Sequence, residues 1–134
     1  MPLPELGPRD ALIVVDLQKD FCPGGALAVP EGDAVVGELN QWIDAATQAE
    51  APVVASRDWH PEGHCSFAEQ GGPWPPHCIE GTPGAAIHAD LRLPETAHLV
   101  NKGVEIDRDN YSAFDDTGLA DWLRERGVRR VFLG

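Results

Sequence analysis

The sequence predicts an α/β fold, a doubly wound parallel sheet with flanking helices. Three observations carry that expectation. Apolar runs recur at "ALIVVD" (11–16), "PVVAS" (52–56), "HLVNKG" (98–103) and "RRVFLG" (129–134). Stretches with helical spacing lie between the first two runs and between the last two. The resulting order, β-α-β-loop-β-α-β, supplies the crossovers that parallel strands require. A length of 134 residues suits a single domain, residues 1–134, with one core.

Each element has its own reason. "ALIVVD" is short and β-branched, as expected of a strand buried on both faces. "FCPGGALAVPEG" (21–32) is a loop by its Gly and Pro content. From Asp33 to Glu50 the apolar positions are Val35, Val36, Leu39, Trp42, Ile43 and Ala46, one stripe of a helix, with Asp33 expected as its N-cap. "PVVAS" is the second strand. Residues 57–97 lack regular periodicity and hold every histidine except His98. So long a loop in a compact domain points to function or disorder. A short helix is expected near "GAAIHADL" (84–91). "HLVNKG" is the third strand, and "EIDRDNYSAF" (105–114) is loop. "TGLADWLRERG" (117–127) places Leu119, Trp122 and Leu123 on one helical face and ends on Gly127. "RRVFLG" is the fourth strand.

Composition excludes several classes. The net charge of −12 argues against nucleic acid, whose phosphates need a cationic surface. No apolar run is long enough for a membrane span, and the N-terminus lacks a signal pattern. Three cysteines, an odd number without framework spacing, fit a reducing compartment, so the expected location is cytoplasmic.

Sheets of this kind carry their sites beyond the carboxyl ends of the strands. There the sequence delivers Asp16, then Arg57 and Asp58, then Lys102. Asp58 and His60 are two apart and face one side of an extended chain. With His77 from the long loop they make a carboxylate and two imidazoles, a donor set for zinc or iron with open positions. The plainer alternative is a solvated loop whose histidines cap carbonyls. His64 is a fourth ligand or a partner behind the others. Asp16 reads as a general base or a helix-dipole partner, Lys102 as a holder of developing negative charge. The plainer alternative for both is a surface ion pair. Phe21, Trp74 and Tyr111 either wall a pocket for a flat ring or pack loops.

The segments "VVDLQKDFCPGGALAV", "SRDWHPEGHCSF", "PWPPHCIEGTPGA" and "VNKGVEIDRDNYSAF" together resemble the nicotinamidases of the isochorismatase-like cysteine hydrolase superfamily. The resemblance runs from Ala11 onward. Its most specific part is the D-x-H and W-P-x-H-C pair. It implies hydrolysis of nicotinamide to nicotinate and ammonia through a cysteine thioester, a step of NAD salvage. It implies Asp16 as acid and base, with Lys102 as its partner. Asp58, His60 and His77 would hold one divalent metal, zinc first, with iron and manganese as alternatives. Phe21, Trp74 and Tyr111 would line the ring pocket. Two alternatives stand beside it: another amide or carbamoyl hydrolase of the superfamily, or a non-catalytic metal-binding or interaction fragment.

In the family the nucleophile follows the fourth strand, and the chain runs on through two further strands. Cys22, Cys65 and Cys78 do not match that position. The expectation is therefore that the last strands of the family fold and the nucleophile lie outside these residues. A missing segment or a second chain would complete the domain, and a homo-oligomer stays open. The 134 residues alone are expected to be inactive, with "RRVFLG" an unprotected apolar edge prone to pairing.

Overall fold

The computed structural model describes residues 2–134. Four parallel strands form one sheet in the order β3-β2-β1-β4. They are β1 (Asp10–Val15), β2 (Val53–Asp58), β3 (His98–Lys102) and β4 (Arg130–Leu133). Helix α1 (Val36–Gln48) connects β1 to β2, and α2 (Leu119–Glu125) precedes β4.

The central strand explains the two layers. Side chains alternate across a strand. Leu12 and Val14 of β1 therefore join Leu39, Ile43 and Ala46 of α1 on one face. Ala11 and Ile13 join Leu119 and Leu123 of α2 on the other. One helix thus covers each face, which is the doubly wound arrangement that the sequence predicts.

The helices differ in detail from expectation. Asp33 is not the N-cap of α1: the helix begins at Val36 with Val35 as cap, and Asp33 contributes only its carbonyl to the Val36 N–H. A turn over 30–35 takes up the residues that the apolar stripe seemed to include. At 84–91 no α-helix forms. A 3₁₀ turn spans Pro83–Ala85, followed by a single bridge at Ile87 and a turn over 89–90. The buried amide of Asn40 steadies that region, donating to the Asp90 carbonyl at 2.9 Å and accepting from the Arg92 N–H at 2.8 Å. Gly127 is left-handed, φ +71°, as a helix-ending glycine should be.

β3 and β4 are the sheet edges among the described residues. On β4, Leu133 is 65% exposed and Val131 is also exposed. Beside them a cleft of about 340 Å³ opens between α1 and β4, lined by Trp42, Phe132 and Leu133 among others. Among the described residues no helix is long and apolar enough to cross a membrane.

Candidate active site

Three strands end at one place. β1 stops at Val15, and Asp16 turns off with φ +53°, a left-handed conformation that aspartate tolerates better than most residues. β2 ends on Asp58 and β3 on Lys102, directly paired in register. Lys102 Nζ lies 2.6 Å from Asp16 Oδ2 and 2.6 Å from Asp58 Oδ1, so one cation bridges two carboxylates. Ser56, one rung back on β2, donates to Asp16 Oδ1 at 2.8 Å. The Lys102 side chain is only 4% exposed. Burial by itself would lower its pKa, but the two carboxylates outweigh that and raise it. Lys102 is thus a buried, fully charged ammonium.

The other oxygen of Asp58 faces two imidazoles. Asp58 Oδ2 is 3.6 Å from His60 Nε2 and 3.7 Å from His77 Nε2. His60 Nδ1 donates to the Gly103 carbonyl and His77 Nδ1 to the Pro75 carbonyl, each at 2.7 Å. A carbonyl only accepts, so each ring carries its proton on Nδ1. Each Nε2 then faces Asp58 with a lone pair for a cation, or with a second proton. Burial would lower the His77 pKa, yet Asp58, the Pro75 carbonyl and Asp20 together raise it. Burial would raise that of Asp58, yet His60, His77 and Lys102 hold it well below the usual carboxylate range.

This donor set fits a metal ion. The three ligand atoms lie within 4.8 Å of one another. Ligands about 2.0–2.1 Å from a tetrahedral zinc sit roughly 3.3–3.4 Å apart, so small movements would close the set. Carbonyl-fixed imidazoles with free Nε2 atoms are the usual state of metal-binding histidines.

His64 belongs behind this set. It stacks on His60 with ring centroids 4.1 Å apart. Its Nε2 donates to the Arg108 carbonyl at 2.8 Å, and its Nδ1 accepts from the Ser66 hydroxyl at 2.7 Å. Both ring nitrogens are engaged, which leaves no lone pair for a metal. The group His60, His64 and Asp109 is clustered but shares this occupied ring. Phe67, fully buried, sets its ring near His60, His64 and His77 at centroid distances of 5.5–5.7 Å.

In front of the charged groups lies a cavity of about 380 Å³. Its lining brings together Asp16, Asp58, His77, Lys102, Phe21, Trp74 and Tyr111. That volume lies in the range of small-molecule sites. Tyr111 is 73% exposed and stands at the rim, its hydroxyl 3.5 Å from the Trp74 indole nitrogen. His60 is buried at 1% exposure and does not line the cavity.

Two of the three cysteines, Cys22 and Cys78, are poorly suited to attack. Cys78 is fully buried, and burial followed by Asp58, Asp20 and Asp16 pushes its thiol pKa up. Burial and then Asp33 do the same to Cys22. Sequence reasoning missed several supports: Gln18, Asp20, Ser56, Phe67 and Gly103. Asp20 accepts from the Cys78 N–H at 2.8 Å, beside His77. Gly103 has φ +64°, and a Cβ there would run into the His60 ring. The segment "DLQKDF" was the available signal for Gln18 and Asp20.

The chain resembles known proteins over most of its length. A nicotinamidase of Escherichia coli is 42% identical over 94% of this chain and 69% of its own. A pyrazinamidase of Pyrococcus horikoshii, solved in complex with zinc, is 52% identical with TM-score 0.91, covering 94% of this chain and 69% of that one. PnC1 of L. infantum, solved in complex with nicotinate, is 42% identical with TM-score 0.86, covering 99% and 69%. This chain therefore spans about two thirds of the length of these relatives. The Isochorismatase domain model matches residues 10–133, and the chain belongs to the isochorismatase domain family.

Proposed function

We propose that this chain supplies the acid/base group, the lysine and the metal ligands of a hydrolase that converts nicotinamide and water to nicotinate and ammonia. One observation carries the reading. Lys102 joins Asp16 to Asp58 at the floor of a cavity walled by Phe21, Trp74 and Tyr111. A related nicotinamidase, a related pyrazinamidase solved with zinc and a related chain, PnC1, solved with nicotinate support it.

Each residue then has a task. Phe21 and Trp74 hold the flat ring, with Tyr111 closing the rim. Asp16 accepts a proton from the attacking thiol and returns it to the leaving ammonia. Lys102 keeps a positive charge beside Asp16 while negative charge builds on the substrate. Asp58, His60 and His77 would hold a divalent metal, zinc first, with iron and manganese as alternatives. Bound there, it would supply a Lewis acid for the nitrogen of a pyridine ring. The nucleophile is a cysteine supplied by a segment after β4, as the family resemblance implies; Cys22 and Cys78 are buried thiols with raised pKa values. On this reading the reaction belongs to cytoplasmic NAD salvage.

The test is nicotinate formation, followed by chromatography, in two proteins. The 134-residue chain should take up one equivalent of zinc and form no nicotinate. The chain continued by the segment after β4 should bind zinc and turn over. Failure of both to bind any divalent metal would sink the reading, and so would turnover by the 134 residues alone.

A further inference from the structure

The side chain of Gln18 continues a β-ladder that its own backbone has left. Along β1 and β2 the rungs advance two residues at a time. The Leu12 N–H donates to the Pro52 carbonyl at 3.0 Å, and the Asp16 N–H to the Ser56 carbonyl at 3.0 Å. The next acceptor in this series is the Asp58 carbonyl. The next backbone donor would be the Gln18 N–H. It points elsewhere, to the Asp16 carbonyl at 2.8 Å, because the chain turns at Asp16.

The Gln18 carboxamide occupies the vacated rung. Its Nε2 donates to the Asp58 carbonyl at 2.7 Å, and its Oε1 accepts from the Asp58 N–H at 2.8 Å. The second Nε2 proton goes to the Ala85 carbonyl at 2.9 Å. Two carbonyls and one N–H permit only this orientation of the amide. Gln18 is 0% exposed, so bulk solvent does not reach this rung. On its other edge Asp58 pairs with Lys102 of β3, and the Trp59 N–H donates to the Lys102 carbonyl at 3.0 Å.

We infer that Gln18 is a positioning residue for Asp58, acting as a one-residue surrogate strand. β1 must end early so that Asp16 can turn into the site. Without a substitute, the last residue of β2 would have its backbone unpaired on one edge. That residue is the one whose two carboxylate oxygens face different partners, Oδ1 toward Lys102 and Oδ2 toward His60 and His77. A rotation of its backbone would disturb both at once. Through Ala85 the same amide also ties in the loop that carries His77. The ladder role stands on hydrogen bonds alone, and its consequence for metal rests on the metal site proposed above.

The experiment compares Gln18→Met with Asn40→Ala. Asn40 is also a buried amide bridging backbone groups, but it joins α1 to residues 90–92, away from the site. At a temperature where both variants are folded, zinc affinity is read by chelator competition. Gln18→Met should weaken zinc binding about tenfold or more, the usual effect of removing a ligand's support. Asn40→Ala should leave it within about twofold, even if its Tm falls as far. Equal weakening in both variants, or none in Gln18→Met, would overturn the inference. Wild-type protein gives a second reading that no folding defect can spoil. By NMR the Gln18 side-chain amide protons and the Asp58 N–H should exchange slowly with solvent, and fast exchange would overturn the ladder role. Slow exchange in wild-type protein that takes up no zinc would uphold the ladder role and refute the metal site.

Discussion

Lys102 Nζ lies 2.6 Å from Asp16 Oδ2, and the same nitrogen is equally close to Asp58. The lysine is what allows two carboxylates to share the end of one sheet. Lys102→Met keeps most of the volume and removes the charge. Two half-buried carboxylates would then face each other without the cation between them, though Asp58 keeps its two imidazoles and Asp16 its serine. The cost is up to about 3–5 kcal/mol, the range for a buried pair that loses one partner. Urea denaturation of metal-free protein should show a loss of that order. A loss under about 1 kcal/mol would mean that the cluster is solvated like a surface pair.

The pH dependence has two limbs. His77 has a raised pKa in the fold, so the folded state binds its proton more tightly than the unfolded chain does. That stability is complete below the ordinary histidine pKa of about 6.5, and it is lost as pH rises through the folded value. Asp58 has a lowered pKa. Its contribution is complete above the ordinary aspartate value of about 3.9 and is lost as pH falls toward the folded value. Metal-free protein should therefore melt highest between about pH 4 and 6.5. Zinc competes with the proton on His77 Nε2, so zinc affinity should tighten up to about tenfold per pH unit while His77 stays protonated. Zinc titrations near pH 5.5 and 7.5 that agree would contradict this, these being points about one unit either side of 6.5.

Gly103 serves His60 twice. Its carbonyl accepts from His60 Nδ1 at 2.7 Å, and its missing side chain leaves room for the ring. Its φ of +64° is one that L side chains rarely adopt. Gly103→Ala therefore adds backbone strain of roughly 1–3 kcal/mol and drives a methyl into the imidazole. The expected result is a lower Tm together with zinc affinity weakened about tenfold or more. A stable variant with unchanged affinity would show that His60 is free to move.

Much of the fold was legible in local pattern. The apolar run 11–16 read as a strand buried on both faces, as Leu12 and Val14 on one side and Ala11 and Ile13 on the other now are, and strand ends named Asp16, Asp58 and Lys102. What escaped were contacts with no local signature. Gln18 reaches Asp58 across 40 residues and Ala85 across 67. Phe67 gathers three histidine rings from a loop that shows no periodicity. Propensity also misplaced the start of α1, because the preceding turn spends Asp33 on a backbone contact rather than a side-chain cap. By sequence His64 could be a fourth ligand or a partner behind the others, and only the hydrogen bonds on its two ring nitrogens favour the second.

The two halves of the cluster should separate under mutation. His60→Ala removes one metal donor and leaves the Asp16–Lys102 pair intact. Its expected effect is a large loss of zinc affinity, with substrate binding weakened as a consequence. Asp16→Asn keeps the shape, and Lys102 retains its 2.6 Å partner in Asp58, so zinc should bind nearly as in wild type. In a protein that carries the nucleophile, however, the amide cannot take up the thiol proton. Thioester formation should then fall by about 10²–10⁴-fold, the usual worth of a positioned base. Zinc content and single-turnover rates measured on both variants test the division. Equal zinc loss in the two would mean that Asp16 and the metal ligands act as one inseparable cluster, against the separate roles proposed for them.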